Sequence, residues 1–369
     1  MKKTIAAAAL CVTALMPLCV VAGENWDDER DSDESLTVAV FGDWPYNTIL
    51  LNSAHLLLDS VNADSKVRLV IHVGDIHSGS MPCTGAGLDP IPAGANPEWN
   101  KGIFDLFEQF HAPLVYTPGD NEWTDCHKTK ELSSGAPLNE LASVRDLFFP
   151  QPGRTLGWEK MRVQTQGERF SRTYPSDAQF VENVIWQRAR VVFVTVNMPG
   201  SNNDGLKWTA PFTDEPARTR EAAQRTGAAI RWLQAAFARA NETGAKAVVL
   251  ALQADMWDPA ALASGGDGLN NYTLFVHELA NLSVRFGRPV LLLNGDSHLF
   301  GSDHPLADPN SATGQIHATP PVPNLTRVTV QGSTNAPAEW LRLTINPRTP
   351  EVFTWENVPY CNNPLVGCP

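Results

Sequence analysis

Four segments of this 369-residue chain end alike: an apolar run of β-type residues stops at a glycine, and an aspartate follows. They are Val38-Ala39-Val40-Phe41-Gly42-Asp43, Val70-Ile71-His72-Val73-Gly74-Asp75, Leu114-Val115-Tyr116-Thr117-Pro118-Gly119-Asp120 and Val290-Leu291-Leu292-Leu293-Asn294-Gly295-Asp296. The last adds His298 two residues on. A lone Gly-Asp after a strand is usually a turn. Several delivered to one rim of a sheet would crowd carboxylates, which repel unless something positive lies between them. Ligand sites of α/β sheets sit at that rim. The chemistry these residues point to is divalent-metal binding.

The elements that must position them follow from the apolar pattern. Strands are expected over 36–41 and 67–73, with Leu50, Leu51, Ala54, Leu57, Leu58 and Val61 at helical spacing between them and Asn47 as N-cap. This is a βαβ unit with a parallel pair. A helix over 98–110, a strand over 114–117 and a helix near 138–149 come next, then neighbouring strands over 181–186 and 191–196. The clearest helix runs over 216–240, with Pro216 in its first turn and Gly244 beyond its end. A strand over 247–252, a helix over 269–286 and the rim strand 290–293 precede three alternating strands near 328–331, 340–345 and 352–355. With no helices between them, these are expected to close a second sheet.

The chain opens with Met1-Lys2-Lys3, an apolar run over 4–21 and the small residue Ala22, the layout of a signal peptide over 1–22. An uncleaved anchor is the alternative, and Pro17 with no stop-transfer flank argues against it. No other stretch is long and apolar enough to span a bilayer, so a secreted or periplasmic protein is expected, with no membrane span in the mature chain. An acidic linker over 23–35, one domain over 36–358 and a tail over 359–369 complete the division. Removing Lys2 and Lys3 leaves 26 basic against 40 acidic residues, a net charge of about −14. Such a surface excludes nucleic-acid binding, which needs a basic footprint. It would repel an anionic substrate unless bound cations reverse the sign locally.

Cys83, Cys126, Cys361 and Cys368 remain after the signal peptide and allow three pairings. Cys83–Cys126 and Cys361–Cys368 are favoured, because the first two each follow a Gly-Asp rim and the last two close a short loop. No pair has the Cys-x-x-Cys spacing of a zinc site.

The order strand–Gly-Asp, strand–Gly-Asp, strand–Gly-Asp-Asn-Glu and late strand–Gly-Asp-x-His resembles the calcineurin-like metallophosphoesterases, and among them the purple acid phosphatases. Gly42-Asp43-Trp44 matches their first motif and Gly74-Asp75 their second; Gly119-Asp120-Asn121-Glu122 stands where they carry Gly-Asn-His-Glu, and Gly295-Asp296-Ser297-His298 replaces Gly-His-x-His. The likeness spans about residues 36–300. It implies a four-layer αββα sandwich of two mixed sheets flanked by helices, and a pair of divalent ions (Mn, Mg, Ca, Fe or Zn) bridged by Asp75. One ion would also take Asp43 and His298, the other Asp120, Gln253 and Asp296.

Several positions depart from the family. Ser78 replaces a tyrosine ligand and Pro45 a histidine; His77 is the candidate substitute, with a plain loop histidine as its alternative. Gln253 stands for a strand-end histidine, with Asp255 as its rival. The second ion's replacements are all oxygen donors, which suit Mg²⁺, Mn²⁺ or Ca²⁺ better than Zn²⁺. Asn121 replaces the histidine that faces the phosphoryl group, and an amide donates a hydrogen bond but no proton. His55, His111, His277, His304 and His317 are assigned to surface or packing, His72 to the core, and Trp44, Trp123 and Trp257 to packing near the motifs. The resemblance thus implies hydrolysis of a small phosphate ester by metal-activated water, with Asn121 and His298 as catalytic groups. The alternative is a binding protein that keeps the fold and at most one metal.

Overall fold

The computed structural model describes residues 33–368. The signal peptide at 1–22 and all but the last three residues of the 23–35 linker lie outside the described residues.

The strands are β1 (Leu36–Phe41), β2 (Val67–His72), β3 (Leu114–Tyr116), β4 (Gln164–Thr165), β5 (Val184–Arg188), β6 (Val191–Thr195), β7 (Ala247–Ala251), β8 (Val290–Asn294), β9 (Gly301–Asp303), β10 (Leu325–Thr329), β11 (Ala338–Ile345) and β12 (Phe353–Cys361). They build a five-stranded sheet ordered β12-β11-β1-β2-β3 and a seven-stranded sheet ordered β4-β5-β6-β7-β8-β10-β9. The strands β1, β2 and β3 run parallel, as do β6, β7, β8 and β10; the outer strands are antiparallel, so both sheets are mixed.

Strand alternation sorts the core into layers. Val38, Val40, Leu69 and Ile71 point inward against Phe193, Val249, Leu291 and Leu293 of the other sheet. Their neighbours Ala39, Phe41 and Val70 point outward onto Leu57, Ile103, Phe107 and Phe148, carried by helices Ala54–Ala63, Trp99–Phe107 and Pro137–Phe148. On the far side Val192, Val194, Val248 and Leu250 meet Trp232, Leu233, Phe237, Phe275 and Leu279 of helices Glu215–Glu242 and Thr273–Phe286. A sheet apolar on both faces must be covered on both. The result is a four-layer αββα sandwich, in which each large buried side chain contributes about 1.5–3 kcal/mol on leaving water.

The late strands differ from expectation. β10 joins the seven-stranded sheet, whereas β11 and β12 extend the five-stranded one, with β11 antiparallel to β1. Alternation marks a segment as a strand without naming its neighbour. The first helix also breaks: Asn47 caps Thr48–Asn52, and Ser53 separates it from Ala54–Ala63. Disulfides join Cys83 to Cys126 and Cys361 to Cys368. Among the described residues no helix is long and apolar enough to cross a membrane.

Candidate metal centre

The carboxyl ends of β1, β2 and β3 meet those of β7 and β8 along one edge of the sandwich. Asp43 N donates to Gly74 O and Trp44 N to Asp75 O, each at 2.9 Å, so the turns after β1 and β2 are zipped together. Across the sheets Asp296 N donates to Asp43 Oδ1 at 3.2 Å, and within the seven-stranded sheet Gly295 N donates to Gln253 O at 3.0 Å. Four side chains aimed into the edge have left-handed backbones: φ is 51° at Asp43, 60° at Asp75, 74° at Asp296 and 64° at His298. Non-glycine residues in that region cost on the order of 1–3 kcal/mol each and persist only where their surroundings enforce them.

Two buried groups enforce the Asp75 turn. Glu122 Oε1 accepts from Asp75 N and Gly119 N, both at 3.0 Å, and from the Tyr116 hydroxyl at 2.7 Å. His72 Nδ1 accepts from Gly74 N, while its Nε2–H donates to Trp44 O, each at 3.1 Å. Burial pulls the His72 pKa down to about 4, so the ring stays neutral and bolts both turns. Gly119 has no alternative: a Cβ there would lie 2.0 Å from Asp75 Oδ1.

Ligand atoms of Asp43, Asp75 and His298 all lie within 4.8 Å of one another, and so do those of Asp75, Asp120 and Asp296. Asp75 belongs to both groups. Burial, followed by repulsion from Asp120, pushes the Asp75 and Asp296 carboxyls well above the usual range. Asp120 is raised too, by burial and then Asp125. His298 is also raised: burial disfavours its charge, but the hydrogen bond and charge of Asp43, with Oδ1 at 3.3 Å from Nε2, outweigh that. This donor set fits divalent cations. Two buried carboxylates, Asp75 and Asp120, converge with the half-buried Asp296 and take their direct hydrogen bonds from neutral donors, and an oxygen-rich cage is what hard ions take.

The neutral donors are specific. Tyr46 Oη lies 2.7 Å from Asp75 Oδ2 and 2.9 Å from Asp43 Oδ1, so one phenolic proton serves two carboxylates. It also meets His298 Nε2 and Asn121 Nδ2, each at 3.2 Å. In the second group Gln253 Nε2 donates to Asp120 Oδ1 at 3.1 Å and Asp75 Oδ2 at 3.3 Å, while its Oε1 accepts from Gly200 N. Ser201 Oγ donates to Asp120 Oδ2 at 2.7 Å, and Lys128 Nζ donates to Ser201 Oγ at 2.8 Å.

The structure therefore brings together Asp43, Asp75, Asp120, Asp296 and His298. Gln253 is present but offers its amide N–H₂ to the carboxylates rather than an oxygen. Asn121 is present as well, with Nδ2 on Asp75 Oδ2 at 2.8 Å and on His77 O at 3.0 Å. The His77 ring is not in the cluster. Its Nδ1 bonds Ser78 O at 3.1 Å, which turns Nε2 toward the Cys83 sulfur. Asp255 is paired with Arg327 and stands outside both groups.

Two features escape the sequence reading. The first is Tyr46, whose hydroxyl lies between Asp43 and Asp75; it stands three residues after Asp43, whereas the resemblance directs attention to the position three after Asp75. The second is the segment Gly200–Asp204, left-handed at Ser201 (52°), Asn202 (56°), Asn203 (57°) and Asp204 (59°). A Cβ on Gly200 would stand 2.6 Å from Asp296 Oδ1 and 2.9 Å from Asp120 Oδ2. Asn203 is held by Thr226 Oγ1 at 2.8 Å and by Arg225, and Arg218 bonds Asp204 O. The signal was the run Gly-Ser-Asn-Asn-Asp, since asparagine and aspartate enter the left-handed region most readily.

No family model matches the chain, and no curated protein matches it. Among solved structures it is similar to "GAP50 the anchor in the inner membrane complex of Plasmodium", at 10% identity and a TM-score of 0.41, over 89% of this chain and 90% of that one.

Proposed function

We propose that the chain is an exported, metal-dependent phosphoric ester hydrolase of the metallophosphoesterase type, acting on a small phosphomono- or diester. The observation that carries this reading is the pair of ligand groups sharing Asp75. When bound, two divalent ions supply Lewis acidity toward phosphoryl oxygens and a water acidic enough to attack at neutral pH. Asp75 sets the spacing of the two positions, Asp43 and His298 complete one, and Asp120 and Asp296 complete the other. Asn121 has its two amide hydrogens on Asp75 and the His77 carbonyl and carries no acidic proton. General-acid help worth about 10²–10⁴ in rate is absent there, so esters with good leaving groups react best.

The rim also carries a cation. Lys130 Nζ and Asn121 Oδ1 lie 2.6 and 2.7 Å from where a Cβ on Gly79 would stand, which sets a half-exposed ammonium beside the amide. That charge suits an anionic phosphate in an otherwise acidic protein.

A second reading, a binding protein with at most one ion, is favoured by the Tyr46 phenol and the Gln253 amide, whose hydrogens lie against the carboxylates a cation would join. Metal analysis of the purified protein with an aryl-phosphate assay across Mn²⁺, Mg²⁺, Ca²⁺ and Zn²⁺ separates the two. Metal-dependent turnover abolished in Asp75→Ala supports the hydrolase; bound metal without turnover supports the binder.

A further inference from the structure

Beneath the carboxylate edge, a second cluster surrounds the Cys83–Cys126 disulfide. Glu131 Oε2 lies 3.3 Å from Cys83 Sγ, and the ligand atoms of Cys83, Cys126 and Glu131 all lie within 4.8 Å of one another, every residue buried. His77 Nε2 is 3.9 Å from the same sulfur. Its Nδ1 is engaged with the Ser78 carbonyl, so Nδ1 carries the proton and Nε2 presents a lone pair toward the sulfur. That carbonyl contact is how a ligating histidine is oriented in metal sites. Glu131 Oε1 is buried without a hydrogen-bond partner.

We propose that reduction of Cys83–Cys126 opens a tetrahedral site for a zinc-class ion, built from Cys83, Cys126, His77 and Glu131. The distances favour it. With Zn–S near 2.3 Å and Zn–N and Zn–O near 2.0 Å, sulfur-to-nitrogen and sulfur-to-oxygen edges of a tetrahedron are about 3.5 Å. The 3.3 and 3.9 Å separations from Cys83 already bracket that value. The sulfurs must separate to about 3.8 Å on the same geometry, and the His77 ring, outside the group formed by Cys83, Cys126 and Glu131, must swing in to complete it. The unpartnered Glu131 oxygen supports the site.

The step balances with a dithiol as reductant. Two electrons pass to the S–S bond, the dithiol leaves as its cyclic disulfide, and each cysteine sulfur gains a proton. Binding of the ion as a dithiolate complex releases both of those protons. Both sulfurs lie close to Asn121 O, at 3.3 and 3.5 Å, so an ion there would hold the Asn121 turn while the disulfide is open.

The test uses the full chain, reduced with dithiothreitol without denaturant and titrated with Co²⁺. Asp75→Asn is the background, so that cobalt at the carboxylate edge does not intrude. We expect one equivalent of cobalt with a thiolate-to-cobalt charge-transfer band and the visible bands of a tetrahedral ion, displaced by Zn²⁺. Glu131→Gln and His77→Ala, purified in the disulfide form and then reduced, should each weaken cobalt affinity about tenfold or more, because each removes one of four ligands. Cys361→Ser/Cys368→Ser should leave the band intact. A reduced chain with titratable thiols and no thiolate band overturns the proposal, as does affinity unchanged in both Glu131→Gln and His77→Ala. A band that survives Cys83→Ser/Cys126→Ser overturns it too. The readout is spectroscopic, so inactivity toward phosphate esters does not bear on it.

Discussion

The two ligand groups that share Asp75 are built on opposite principles. The first, Asp43, Asp75 and His298, holds a histidine whose protonated form is favoured by Asp43, and a phenolic proton sits between its carboxylates. The second, Asp75, Asp120 and Asp296, has three carboxylates whose direct hydrogen bonds come from neutral donors, among them the Gln253 amide, the Ser201 hydroxyl and the Asp255 N–H, while the Lys128 and Lys130 ammoniums act on Asp120 from farther out. Set beside the motifs of the metallophosphoesterases it resembles, the first group matches and the second departs. By charge the order reverses, because a carboxylate and an amide where the resemblance implies two histidines leave the second group with the greater demand for a cation. Departure from a motif and loss of metal affinity are therefore separate things. The second group is expected to load first, with a hard ion.

The largest effect comes from the residue common to both. Asp75→Ala should empty both positions and lower metal-dependent turnover by at least about 10³-fold, since nucleophile and charge stabilisation go together. Metal content by mass spectrometry and aryl-phosphate hydrolysis read the two losses. Retention of a full metal complement would mean that the groups do not share a ligand.

How much of this was legible in the chain depends on which interaction decides each feature. The Gly-Asp ends were legible because a strand that stops at the edge of a packed sheet needs a glycine for close approach and leaves the next side chain facing the rim. Gly119 against Asp75 is that requirement in coordinates. Tyr46 is not legible, because nothing in its spacing from Asp43 tells that the turn after β1 folds its hydroxyl back between Asp43 and Asp75. His77 looked right by position, yet a ring's direction is set by its second nitrogen, here by the Ser78 carbonyl. The pairing of β11 with β1 joins residues some 300 apart, and nothing local encodes it.

Acid should act on the first group through its support. His72 bolts the turns that carry Asp43 and Asp75 and touches neither Asp120 nor Asp296. Its folded pKa, about 4, lies below the unfolded value of 6.5, so the unfolded chain binds the extra proton between those limits. Its contribution is complete above pH 6.5 and is lost as pH falls toward 4, a swing on the order of 3 kcal/mol. Urea unfolding of the metal-free protein from pH 8 to pH 4, compared with His72→Gln, isolates this share. Identical pH slopes in the two proteins would remove His72 from the account.

A narrower cut separates the groups directly. Asp296→Asn keeps an oxygen in place but removes one of three charges from the second group alone. Affinity for Mn²⁺ at the tighter position should fall by about 10–100-fold while the weaker position is unchanged. Electron paramagnetic resonance of bound Mn²⁺ counts both. If the weaker position fell instead, the order of loading argued above would be inverted.

The smallest expected change lies at Tyr46, and it bears most on the contrast between the groups. The phenol gives one hydrogen to two carboxylates and receives two contacts, from Asn121 and His298. Before an ion enters the first group, the phenolic hydrogen must leave that position. A hydrogen bond to a charged group contributes on the order of 1.5–3 kcal/mol, and part of this is recovered by the ion. Tyr46→Phe keeps the ring packed edge-on against His298 and deletes only the hydroxyl. The variant should therefore lose about 1 kcal/mol of metal-free stability and bind the weaker ion about tenfold more tightly, with the tighter position unmoved. Calorimetric titration with Mn²⁺ resolves the two steps. Weaker binding in Tyr46→Phe would show instead that the phenol oxygen is itself a ligand, and the first group would then be a four-donor site that needs its tyrosine.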